Sequence, residues 1–94
     1  MPSLLIQHSV PDFDAWKAMF DSDPVDRKGS GVTRYRVARS LGTPTTVSIE
    51  LELNTIEEAE RLHEKLRTLW SGPASAIVQD PRMQIVETVE EVTL

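Results

Sequence analysis

Thr45 to Leu53 constrains this chain more than any other stretch. Val47, Ile49, Leu51 and Leu53 alternate there with Thr46, Ser48, Glu50 and Glu52. A period of two puts all four aliphatic side chains on one side, so the segment is a strand with one dry and one wet face. Such a strand needs neighbours in a sheet and a second layer over its apolar side.

The rest of the chain supplies both. Ser3 to Ser9 predicts a first strand. Pro11-Asp12 stops it, and Asp12 caps a helix over about 12–22, where Phe13, Trp16 and Phe20 recur at helical spacing. Asp23-Pro24 predicts a further short helical turn, with Asp capping and Pro at the first position. Gly29 and Gly31 lead into a second strand, Val32 to Ser40, and Leu41-Gly42-Thr43-Pro44 turns it into the third. Thr55-Ile56-Glu57-Glu58 fits a capping box in which Thr55 and Glu58 satisfy backbone donors reciprocally. The helix it starts carries Ala59, Leu62, Leu66, Leu69 and Trp70 on one face, and Gly72-Pro73 ends it. An irregular piece over about 74–79 precedes Asp80-Pro81. Arg82 to Thr93 predicts a long polar last strand.

The order β-α-β-β-α-β predicts a ferredoxin-like α+β sandwich over 1–94 as one domain, an antiparallel four-stranded sheet with both helices on one face. The 94 residues leave no room for a second domain. A chain this short buries only about 60–68% of its unfolded surface, which favours oligomerisation. Fifteen acidic residues against ten basic ones give a net charge of −5, a surface that repels phosphate backbones and anionic membranes. There is no cysteine, which removes disulfides, thiol catalysis and thiolate metal sites. The N-terminus has no basic region, and its apolar run, Leu4-Leu5-Ile6, is too short for a signal peptide or a membrane span, so a cytoplasmic protein is expected.

Register in the central hairpin can be argued. If Thr33, Tyr35 and Val37 face the helices, Arg34 and Arg36 face away. Pairing Ser40 with Thr46 then sets Arg36 opposite Glu50 and Arg34 opposite Glu52. The open face becomes a lattice of Arg34, Arg36, Ser48, Glu50 and Glu52, with Gln7 beside it. It is either a solvated polar face or the wall of a polar cavity closed by a second subunit. The first and last strands leave their faces open, because Leu4-Leu5-Ile6 and Ile85-Val86 are apolar on both sides.

The runs His8 to Lys17, Phe20 to Pro24 and Gly31 to Val37 resemble small bacterial proteins of the dimeric α+β barrel superfamily, the antibiotic-biosynthesis-monooxygenase-like and cyclase-like proteins. The resemblance implies a homodimer whose sheets face each other, with a small-molecule pocket between sheet and helices or between subunits. That superfamily contains cofactor-free quinol or anthrone oxygenases, haem-degrading enzymes, isomerases and proteins without established activity. Trp70 matches the Trp that the oxygenase and haem-degrading branches carry near the end of the second helix. No histidine follows it between Ala74 and Asp80, where the haem branch has one. Gln7 and His8 stand where an Asn is wanted, and Asn54 falls at a strand–helix junction.

His8 is therefore a candidate general base, Leu4 and Ile6 placing it on the helix side. Its competing role is a hydrogen bond to the Asp12 region that fixes the start of the first helix. Arg36, or Arg34, is expected to stabilise the anion that His8 forms from an acidic phenol or ketone. Arg34, Tyr35, Glu50, Trp70 and His63 are the candidate substrate contacts. For Tyr35, Trp70 and Trp16 the alternative is core packing, and for His63 it is a boundary position beside the apolar stripe of the second helix. The two histidines have no metal-ligand spacing, and Asp21, Asp23 and Asp26 lack the glycine and final glutamate of a calcium loop. No metal and no cofactor is expected. The expected partners are a second copy of the chain and a small, aromatic or polyketide-like molecule. A non-catalytic binding or interaction module, with the open face as its dimer contact, is the alternative.

Overall fold

The computed structural model describes residues 1–94. Its elements are β1 (Pro2–Ser9), α1 (Phe13–Asp21), β2 (Val32–Arg39), β3 (Thr46–Leu53), α2 (Ile56–Ser71) and β4 (Gln79–Glu87). The four strands form one antiparallel sheet in the order β2-β3-β1-β4. This is the ferredoxin-like α+β sandwich that the element order predicted.

The alternation in β3 is realised in full. Val47, Ile49, Leu51 and Leu53 are buried, and they join Leu4 and Ile6 of β1, Trp16 of α1 and Ala59, Leu62 and Leu66 of α2 in one core. Burying a single aliphatic side chain of this size is worth about 1.5–3 kcal/mol, so this layer holds the domain together. Leu4, Ile6 and His8 face the helices, which leaves Leu5 and Gln7 on the open face. Met83 and Ile85 pair with Ile6 and Leu4, so they share the helix side, while Val86 pairs with Ser3 on the other.

The hairpin register is as expected. Arg34 pairs with Glu52, Arg36 with Glu50, and the Ser40 N–H donates to the Thr46 carbonyl at 3.0 Å. Asp12 caps α1 through its Oδ1, which accepts from the Asp14 N–H at 3.0 Å.

Three local expectations need correction. The segment after α1 is a chain of turns rather than a helical turn, because Asp23 and Asp26 adopt left-handed φ values of 58° and 51°. Asp23 still accepts the Arg27 N–H on Oδ1 at 2.9 Å, but not from the extended conformation of an N-cap. The capping box at α2 is half formed. Thr55 Oγ1 accepts the Glu58 N–H at 3.1 Å, and the Thr55 hydroxyl itself donates to Glu58 Oε1 at 3.1 Å. The Glu58 carboxylate lies where a side chain at position 31 would be, and Gly31 has a φ of 100°. The left-handed φ is what favours glycine here, since the Glu58 carboxylate is the mobile end of a long side chain.

The last strand is also shifted. It starts at Gln79 and ends at Glu87, instead of running from Arg82 to Thr93. At its far end Glu87 pairs with Pro2, the first residue of β1, and one further bond follows, from the Thr88 N–H to the Met1 carbonyl at 3.4 Å. Its near end passes through Asp80-Pro81 as a bulge. The register moves from Gln7–Arg82 to Ser9–Gln79, so an extra residue of β4 lies opposite His8. Asp80 has a φ of 49°, and Pro81 is tolerated because β4 is an edge strand.

Candidate functional site

The sheet divides the expected site residues into separate places. On the helix side, His8 is 3% exposed and stands between two indoles. Its ring centroid is 5.3 Å from Trp16 and 6.2 Å from Trp70, both edge-on. The Nδ1 atom is buried and meets no hydrogen-bond partner. Such an orphan costs about 1–3 kcal/mol, so a buried histidine of this kind calls for an explanation. Burial lowers the His8 pKa below the ordinary histidine value of about 6.5, against a weaker opposing influence from the Ser9 backbone. His8 is thus a neutral base at neutral pH. The expected alternative, a bond to the Asp12 region, is not made: Asp12 is occupied by Asp14 and Ala15 N–H groups.

His8 and Trp70 line one cavity of about 40 Å³ between the helices and the sheet, with Trp16, Phe20 and Leu66. Its lining is otherwise apolar, apart from one charged residue, Arg27. Arg27 escaped the sequence argument. The only available signal was its place four residues after Asp23 in an Asp-rich turn.

The other candidates lie elsewhere. Arg36 and Glu50 sit on the open face, in a shallow trough of about 700 Å³ whose floor includes Leu5, Gln7, Ser48 and Arg82. Arg36 Nη2 is 3.8 Å from Glu50 Oε1, and Arg34 is hydrogen-bonded to Glu52 beside them. The expectation that Arg36 or Arg34 acts on the substrate of His8 is corrected by this geometry. His8 and Gln7 are consecutive on β1 and project to opposite faces, and Arg36 shares the face of Gln7, so the sheet stands between base and guanidinium.

Tyr35 is on the helix side but 46% exposed, its ring 5.4 Å from Phe20 and edge-on to it. It lines a surface groove with Arg34, Lys28 and Asn54 rather than the cavity. His63 lies outside all of these, half-exposed, with Nδ1 3.9 Å from Glu64 Oε1. Nowhere do three His, Asp or Glu side chains gather as metal ligands. No helix is long and apolar enough to cross a membrane.

A ferredoxin-like sandwich with a small aromatic cavity under its helices is the class of protein that fold and geometry define. Solved structures share that fold over the whole chain. A provisionally assigned antibiotic biosynthesis monooxygenase from Deinococcus radiodurans matches with a TM-score of 0.72 at 16% identity, covering 100% of this chain and 98% of the other. Another so assigned, from Nitrosomonas europaea, gives 0.63 at 18% identity over 96% and 100%. A dimeric ferredoxin-like protein from an uncultured marine organism gives 0.68 at 17% identity over 97% and 96%. The sequence matches no family model and no curated protein.

Proposed function

We propose that this chain forms a homodimer and binds a small aromatic or polyketide-like molecule in the cavity under its helices. There it acts as a cofactor-independent monooxygenase or cyclase. One observation carries the proposal: His8 is buried between two indoles at the wall of an apolar cavity, and its Nδ1 has no partner in the protein. A ligand hydroxyl or acidic C–H is the group such a nitrogen lacks. Neutral His8 takes a proton from an acidic phenol or ketone. In the oxygenase case the carbanion adds O₂ to give a hydroperoxide, which loses water, so that a CH₂ becomes a C=O and one H₂O leaves. In the cyclase case the same carbanion attacks a carbonyl within the molecule.

The names of the Deinococcus and Nitrosomonas structures favour the oxygenase, and that of the marine protein favours the dimer. Native mass spectrometry of freshly purified protein tests assembly and ligand together. A dimer carrying an extra organic mass is expected. Oxygen uptake with hydroquinones and anthrones then tests turnover, and His8→Phe is expected to abolish it. Full turnover by His8→Phe would sink the catalytic part.

A second function rests on the open face. Arg36, Glu50 and Arg82 bring both signs of charge to one surface around Leu5. A two-fold copy could place each Arg against a Glu, making the face a dimer contact of a non-catalytic binding module. Glu50→Arg should then split the dimer in sedimentation experiments. Under the first function the same change leaves ligand binding in the helix-side cavity intact.

A further inference from the structure

Arg27 is the one residue that lines both the inner cavity and the surface groove that holds Tyr35. Its side chain is only 13% exposed. The guanidinium carbon is 4.0 Å from the Phe20 ring centroid and 4.9 Å from that of Tyr35, so the cation covers the seam between the two rings. Nη1 donates to the Phe20 carbonyl at 2.6 Å. The nearest carboxylate is loosely placed, with Asp23 Oδ1 3.5 Å from Nε and already accepting the Arg27 backbone N–H. A guanidinium has five N–H donors, and no other side-chain bond of Arg27 is formed in the protein.

The cavity thus has two hydrogen-bonding groups in an apolar wall, a neutral base at His8 and a permanently charged, underused cation at Arg27. A ligand that satisfies both offers a proton donor and an anionic oxygen on a flat apolar body. The closed cavity, about 40 Å³, is too small for it. An apolar cavity that accepts benzene has about 150 Å³. Part of the wall must move on binding, and the part held by ring contacts, one backbone bond and a 3.5 Å contact to Asp23 is Arg27. It sits in a segment of turns after two left-handed aspartates, between α1 and β2, with its carbonyl accepting the Val32 N–H at 3.0 Å.

We propose that Arg27 is both the gate and the anion-selecting residue of the cavity. A ligand enters along the groove between Arg27 and Tyr35 and displaces the guanidinium from the Phe20–Tyr35 seam. The guanidinium then closes on its carboxylate or phenolate oxygen. The ligand class is an aromatic acid or phenolate rather than a neutral arene. This rests on the cavity being the ligand site.

The test uses 1-naphthoate and 1-naphthamide, which differ in charge and hardly in shape. Calorimetry gives their affinities, and the indole N–H resonances of Trp16 and Trp70 report whether they enter the cavity. Wild type should bind naphthoate at least about 10-fold tighter, with both indole signals moving. Arg27→Met should lose about 10- to 100-fold on naphthoate and change little on naphthamide. Arg27→Lys, which keeps the charge without the planar fork, should retain part of the preference. Arg27→Ala should speed naphthamide association, because the gate is gone. Thermal unfolding checks each variant, and Arg27→Lys serves if the others are unfolded. Equal losses on both probes, or an unchanged preference in Arg27→Met, overturn the role of Arg27 alone. Indole signals that ignore both probes in wild type overturn the cavity itself, and this inference with it.

Discussion

The two faces of the sheet are built by opposite rules. Under the helices nearly every group is apolar and dry, so one unpaired nitrogen, His8 Nδ1, stands out against its surroundings. On the open face charge is plentiful and cheap. Arg36 is 75% exposed and Arg34 63% exposed, and of the carboxylates they pair with, Glu50 is 38% exposed and Glu52 17%. Charged residues draw the eye in a sequence, yet the weight of a polar group depends on the medium around it. A single orphan in the dry layer carries more information than four charges in the wet one.

That contrast can be broken most forcefully at Trp16. The side chain is 2% exposed and touches His8, Phe13 and Phe20. Trp16→Ala is expected to cost about 3–5 kcal/mol, a large part of the roughly 5–15 kcal/mol that holds a domain together. Urea unfolding followed by far-UV circular dichroism would show it. A loss below about 1 kcal/mol would mean that the helix layer is not the core.

His8→Phe sharpens the contrast, because it should separate stability from function. Removing the unpaired nitrogen is expected to raise the unfolding free energy by about 1 kcal/mol while ligand binding disappears. The pH dependence gives a second check. The folded protein holds His8 below its unfolded value of about 6.5, so the unfolded chain binds more protons just under that pH. Stability from this group is complete above about pH 6.5 and falls as the pH drops toward the lower folded value. Wild type minus His8→Phe should show that slope between pH 7 and the onset of carboxylate titration. Parallel curves would remove the claim that His8 is buried neutral.

The open face should respond weakly. Arg34→Ala is expected to cost about 0.2–1 kcal/mol, and less at high salt. Arg36→Ala, whose partner lies 3.8 Å away, should stay within about 0.5 kcal/mol in the monomer. A larger effect that depends on protein concentration would reveal these charges at a subunit contact.

Much of the fold was legible without the structure. Asp12 and Thr55 mark helix starts by chemistry that acts within three residues. The β3 alternation and the facing Arg and Glu residues set the hairpin register, because a slip of one residue would turn Val47 and Ile49 into water. His8 and Trp70 both stood out in the sequence, and the fold puts both in the wall of one cavity. Arg27 was not, since nothing about an arginine in a turn says that its guanidinium folds back over two rings from α1 and β2.

Periodicity and capping are local, so the sequence by itself determined the order of the elements, the dry face of β3 and the side of the sheet on which His8 lies. The ends of β4, the bulge opposite His8 and the division of the charged residues from the base were decided by tertiary structure. Each depends on which strand lies next to which. A strand stops where its neighbour stops, and two residues share a ligand only if the sheet does not stand between them.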